Sequence, residues 1–113
     1  DLTRKSDIIS LHIPSTEKTR NIINSKILNN MKKNVILINT ARGDLINEND
    51  LLSFLQKNKE ALAALDVFAE EPYYGPLANL PNTLLTPHIA SFAKETRLKM
   101  EQETIKNLIL GLQ

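Results

Sequence analysis

Four short, almost unbroken apolar runs set the terms for this chain: Ile8 to Ile13, Val35 to Ile38, Ala61 to Val67 and Thr83 to Leu85. Runs of that length without polar alternation read as strands buried on both faces, which is the habit of a parallel sheet. Parallel neighbours need crossover segments, and the stretches between the runs carry helical signals. Ser25 reads as the N-cap of a helix holding Ile27, Leu28 and Met31. Asn47 caps the next, with Glu48 and Asp50 in its first turn and Leu51, Leu52 and Leu55 facing inward. Ser91 starts the last, where Met100, Thr104, Ile105, Leu108, Ile109 and Leu112 share one stripe. Pro72, Pro76, Pro81 and Pro87 crowd a non-helical excursion. The expected fold class is α/β, a parallel sheet with flanking helices joined by right-handed crossovers.

Composition removes several function classes. The 113 residues fit a single domain. The only glycines are Gly43, Gly75 and Gly111, so neither a GxGxxG loop nor a Walker loop is present to cradle phosphate. Cysteine is absent, which removes disulfides and thiolate metal sites, and the two histidines have no carboxylate at ligand spacing; no metal is expected. No apolar run approaches a membrane span and no signal-peptide pattern opens the chain, so a cytoplasmic location is the expectation. A net charge of +1, two Tyr, three Phe and no Trp leave little to attract or stack nucleic acid.

Ligands of open parallel sheets bind beyond the carboxyl ends of the strands. Those ends hold His12 and Pro14, then Asn39 to Gly43, then Asp66 running into Glu70, Glu71 and Pro72, then Thr86, Pro87 and His88. Ionisable groups therefore converge on one edge. A loop histidine such as His88 suits general acid or base work near neutral pH. Glu71, if it meets His88, favours the imidazolium and orients the ring. Arg42 is placed to fork onto a carboxylate, and the three together suit a small oxo acid. Each residue also has a plainer reading. His88 is a solvated loop residue, Glu71 a surface partner of Glu70, and Arg42 a counter-charge for Asp44. His12, inside an apolar run, is a core histidine, and Asp66 bonds a neighbouring loop.

At these residues the sequence resembles the NAD-dependent D-isomer-specific 2-hydroxyacid dehydrogenases. "SDIISLHIPSTEKTRNIIN" is similar to the family's strand ending in H-x-P, and "MKKNVILINTARGDLINENDLLSFL" to its M-K…N-x-x-R-G signature. "ALDVFAEEP" and "LPNTLLTPHIA" are similar to its D-V-F-x-x-E-P and T-P-H segments, and the resemblance runs from about Asp1 to Gly111. It implies a Rossmann-type nucleotide-binding domain. His88 is then the acid/base that protonates the substrate oxygen as a 2-oxo acid is reduced, Glu71 its partner, and Arg42 the carboxylate-binding group. Asp66 contacts the nicotinamide end of the cofactor. Ile13, Pro14, Thr19, Thr40 and Ala41 line the nicotinamide and its ribose, with Arg42 and His88 bordering the same site.

The departures have their own content. "NKEALAALD" lacks the glycine that relatives carry shortly before Asp66, and "ASFAKETR" lacks one after the alanine near His88. The Gly-rich dinucleotide loop and the acidic residue that grips the adenosine ribose are missing. The expectation is thus the C-terminal half of a Rossmann-type domain, spanning residues 1–113, without the phosphate site or the substrate domain. Such a piece binds NAD weakly, leaves NADP open, belongs to an enzyme expected to be a homodimer, and exposes a sheet edge. Two other readings compete: a non-catalytic NAD-sensing or corepressor-type module of the same family, and a standalone four-strand flavodoxin-like fold.

Overall fold

In the computed structural model, residues 2–112 are described. The order is α1 (Leu2–Lys5), β1 (Ile8–Leu11), α2 (Ser25–Leu28), β2 (Ile36–Asn39), a 3-10 turn (Gly43–Leu45), α3 (Glu48–Lys57), β3 (Leu62–Leu65), a second 3-10 turn (Pro76–Asn79), β4 (Thr83–Leu85) and α4 (Lys94–Gly111). The four strands lie side by side in sequence order, all parallel. Ile9, Leu37, Ala63 and Thr83 stand in one row across the sheet, and Leu11, Asn39, Leu65 and Leu85 in another. The expected α/β parallel sheet is therefore present. β1 and β3 are shorter than their apolar runs, β2 is shifted one residue towards the C-terminus, and β4 matches its run. Val35, Ala61 and Val67 are buried without belonging to the ladder.

Side chains alternate across a strand, so the row residues above share one face. That face is the core, packed with Leu28 of α2 and Leu51, Phe54 and Leu55 of α3. The sheet is not covered on both faces, as continuous apolar runs suggest. On the other face Ile8, Leu62 and Leu84 are 59%, 45% and 67% exposed. The segments that carry α2 and α3 lie on the core side.

Parity also corrects the reading of His12. It follows β1 in step with Ile8 and Ser10, on the uncovered side, and is exposed. Its Nε2 lies 2.8 Å from Ser10 Oγ instead of inside the core.

The caps differ in part from expectation. Asn47 caps α3, its side chain accepting from Asp50 N. At α2 the cap is Asn24, not Ser25, because the Asn24 amide oxygen reaches both Lys26 N and Ile27 N. Ser25 instead donates its own N–H to Asp50 Oδ2. Helix α4 starts at Lys94 rather than near Ser91 and has no side-chain cap bond. The chain from Ile89 to Phe92 is spent on a turn closed by Phe92 N to Ile89 O. The apolar stripe of this helix is exposed: α4 buries none of its residues. Periodicity reports amphipathicity but not what covers the apolar side.

The core dictates which substitutions matter. Leu51→Ala, at a fully buried α3 position, lowers the unfolding free energy by about 2–5 kcal/mol. Exposed Gln56→Ala in the same helix stays within about 0.5 kcal/mol of wild type. Urea unfolding midpoints check the pair, and equal effects contradict the assigned core face.

Candidate active site

The carboxyl ends of β2, β3 and β4 bring the expected residues to one edge. β3 ends directly before Asp66, whose N–H donates to Asn39 O at the end of β2. The Asp66 side chain is buried, 5% exposed. Its Oδ1 accepts from Thr86 Oγ1 at 2.5 Å and from Ile89 N at 2.9 Å, and its Oδ2 from Ala90 N at 2.9 Å. Burial opposes ionisation, but those three donors and the nearby His88 outweigh it and hold the Asp66 carboxyl below its ordinary range. The plainer reading of Asp66 as a loop-bonding residue describes this contact set.

The loop that Asp66 grips contains His88, whose φ of 55° lies in the left-handed region. A side-chain-bearing residue there is strained by about 1 kcal/mol or more. The N–H donors just after His88 meet the Asp66 carboxylate, and His88 N itself donates to Thr86 O at 3.0 Å. The strained turn is thereby held from both sides.

Glu71 arrives from the segment after β3. Its Oε1 accepts from Phe68 N at 3.0 Å and its Oε2 meets His88 Nδ1 at 2.8 Å. The Phe68 amide first, then the His88 contact, hold the Glu71 carboxyl below its ordinary range, against burial and Asp66. An ionised carboxylate only accepts, so the shared proton sits on Nδ1 of His88. Nε2 is left to hold or release a proton elsewhere. Glu71 is thus a partner of the histidine, not half of a solvated pair with Glu70.

Arg42 follows β2 and is exposed. It does not neutralise Asp44, which pairs with Arg20 at 3.6 Å and accepts from Ser15 Oγ at 2.5 Å. Arg42 Nη1 donates to Ala41 O at 2.6 Å, and among the described residues no carboxylate pairs with it. Arg42, Glu71 and His88 line one cleft of about 320 Å³, together with Ser15, Arg20 and Asp44. Gly43 lets its walls meet. A Cβ there would stand 1.9 Å from the Phe68 carbonyl carbon, so only glycine lets the Arg42 turn lie against the segment carrying Glu71.

A second cleft, about 630 Å³, adjoins at Arg42 and is walled by His12, Ile13, Pro14, Ser15 and Ala41. Four of the expected cofactor-lining residues, Ile13, Pro14, Ala41 and Arg42, therefore come together. Thr19 and Thr40 do not line it. Thr19 Oγ1 donates to Pro14 O at 2.8 Å and accepts from Thr16 N at 2.8 Å, shaping the loop that follows Pro14. Thr40 is exposed beyond the end of β2. Arg20, Ser15 and Asp44 were not legible as site residues. They reach the cleft because Asn21 N donates to Asp44 O and Ile23 bridges to Ile46, a long-range pairing with no local signature.

A family model described as "D-isomer specific 2-hydroxyacid dehydrogenase, NAD binding domain" matches residues 1–90. A glyoxylate reductase from Aeropyrum pernix is 45% identical over 111 residues, covering 96% of this chain and 33% of that relative. Among solved structures, D-lactate dehydrogenase with NAD+ from Lactobacillus jensenii aligns with a TM-score of 0.86 at 36% identity, covering 96% of this chain and 37% of that one. An acyclic imino acid reductase in complex with NADPH and D-arginine aligns at 0.90 with 42% identity, covering 98% and 36%. The chain spans about a third of the length of the curated relatives it matches.

Because Asp66 and Glu71 are more acidic than usual in the folded chain, their stabilisation is complete above the ordinary carboxylate range and is lost as pH falls through the lowered values. Asp66→Asn leaves buried donors facing an amide and costs about 1–3 kcal/mol at neutral pH. Melting curves of wild type and variant, taken from pH 7 down to 2, converge on the acid side. A constant gap across that range contradicts the role given to the Asp66 carboxylate.

Proposed function

This chain belongs to the NAD-binding domain family of the D-isomer specific 2-hydroxyacid dehydrogenases, and from that premise we propose that its residues are the catalytic portion of an NAD-dependent oxidoreductase. The reaction is interconversion of a D-2-hydroxy acid and a 2-oxo acid. In this reading residues 1–113 form the C-terminal part of a Rossmann-type domain, and other segments of the protein supply the phosphate loop and substrate domain. One observation carries the reading: a histidine whose Nδ1 is committed to a carboxylate faces the same cleft as an arginine that pairs with no carboxylate among the described residues.

Arg42 binds the substrate carboxylate through its guanidinium, a planar fork matched to two carboxylate oxygens. That contact fixes the 2-carbonyl relative to the protein and polarises it. Glu71 holds the His88 ring with Nδ1–H pointing away from substrate. Nε2 of His88 then delivers its proton to the carbonyl oxygen as the alcohol forms, and takes it back in the oxidative direction.

The cleft lined by Ile13, Pro14, Ala41 and Arg42 suits the nicotinamide end of the cofactor, because it adjoins the acid/base cleft at Arg42 and mixes apolar walls with polar groups. Thr19, Thr40, Asp66 and His88 are assigned to the same cofactor site from outside that cleft, Thr19 by shaping the loop after Pro14 and Asp66 by holding the loop of His88. NAD, when bound there, supplies or accepts the hydride at the 2-carbon. We further infer a cytoplasmic, homodimeric enzyme acting on a small molecule and not on nucleic acid. A net charge of +1 with few aromatics supports a small-molecule substrate over nucleic acid. Among the described residues no helix is long and apolar enough to cross a membrane.

In the complete protein, assayed with NADH or NADPH and a series of 2-oxo acids, His88→Ala lowers turnover by about 10² or more. Arg42→Ala raises the KM for the oxo acid by about tenfold or more, as loss of a charged hydrogen bond does. Near-normal turnover in the His88 variant overturns its role. A protein that assembles with partners in an NAD-dependent way and turns over no 2-oxo acid is the corepressor-type module instead.

A further inference from the structure

Asn39 is the last residue of β2 and is fully buried. It stands on the core face, in register between Leu11 and Leu65. A polar amide in an apolar layer is unfavourable unless both of its ends are bonded. Here Nδ2 donates to Arg42 O at 2.8 Å and Oδ1 accepts from Ala41 N at 3.1 Å. Both bonds go to the turn that presents Arg42.

The peptide joining Ala41 to Arg42 lies between those two bonds, so its direction is set. Its carbonyl is Ala41 O, which accepts from Arg42 Nη1 at 2.6 Å. The guanidinium therefore rests on a carbonyl whose direction is set by the Asn39 amide. Gly43 pins the same turn sideways against the backbone of Phe68, and Phe68 N holds Glu71. Asn39 O accepts from Asp66 N at 2.9 Å, which ties the strand end to the residue gripping the His88 loop. Neither a leucine nor an aspartate reproduces this. Leucine bonds to neither group, and an ionised aspartate faces the Arg42 carbonyl with an acceptor.

We propose that Asn39 is a positioning residue for Arg42, setting where the guanidinium stands relative to His88 and hence how tightly the 2-oxo acid carboxylate is held. This rests on the reading of Arg42 as the carboxylate-binding group. The proton transfer itself does not pass through Asn39.

The test uses the complete protein and four variants: Asn39→Asp, Asn39→Ala, Arg42→Ala and the Asn39→Asp/Arg42→Ala double. Asn39→Asp keeps the size of the side chain and the bond from Ala41 while replacing the donor to Arg42 O with an acceptor, so it carries the test even if Asn39→Ala folds poorly. Misplacing a binding group raises the KM for the oxo acid by about tenfold or more, with NADH affinity within about twofold of wild type. In the Arg42→Ala background the same substitution has no further effect on that KM, because there is no guanidinium left to misplace. An unchanged KM in Asn39→Asp, whatever its melting temperature, overturns the proposal. So does an Asn39→Asp penalty that persists in full when Arg42 is absent. If Arg42→Ala itself leaves the KM unmoved, the reading of Arg42 fails, and the two failures are told apart.

Discussion

The site depends on one buried carboxylate. Asp66 closes β3 and accepts from Thr86 Oγ1, Ile89 N and Ala90 N, which anchors the loop after β4 to the end of β3. Without that acceptor, three donors of the loop lose their partner and the left-handed backbone of His88 loses most of its support. The Asp66 N–H adds a bond to Asn39 O, so β2, β3 and the His88 loop meet at a single residue. Thr40 to Gly43 and Phe68 to Glu71 then need only short connections to reach the same cleft.

Much of this was legible in the sequence for a definite reason. β1 to β4 show because each lies in a short, nearly continuous apolar run, even though one face of the sheet is uncovered, and α3 shows because Asn47, Glu48 and Asp50 mark its start. The convergence of Arg42, Glu71 and His88 followed from parallel topology alone, since all three lie just past strand ends. What stayed hidden depends on long-range contact. Asn24 capping α2 and Arg20 pairing with Asp44 are set by the fold, not by local pattern. His12 differs from the sequence reading because it shares with Ile8 and Ser10 the face that α2 and α3 do not cover, while its neighbour Leu11 lies in the core. The α4 stripe was visible, but its burial was not, because a stripe does not name its partner.

Two different logics therefore share the sheet. The covered face is conventional core, filled by Leu37, Leu51, Leu55 and Leu65. Its carboxyl edge admits three polar or charged groups that an apolar core would exclude: Asn39, Asp66 and, at its rim, Glu71. Each has hydrogen-bond partners that also position a chemical group, Arg42 for Asn39 and His88 for the two carboxylates. Burial makes those contacts directional, since a polar group out of water is stable only when bonded. The same residues that would be liabilities in a core thus become the fixed points of a cleft.

The central claim is that this edge holds a 2-oxo acid between Arg42 and His88. A crystal structure of the complete protein with NADH and oxamate, a non-reacting 2-oxo acid mimic, tests it most directly. The account requires the oxamate carboxylate on the Arg42 guanidinium and its carbonyl oxygen within hydrogen-bond distance of His88 Nε2, with Nδ1 still on Glu71. Oxamate bound away from Arg42, or a His88 ring turned from the ligand, contradicts it.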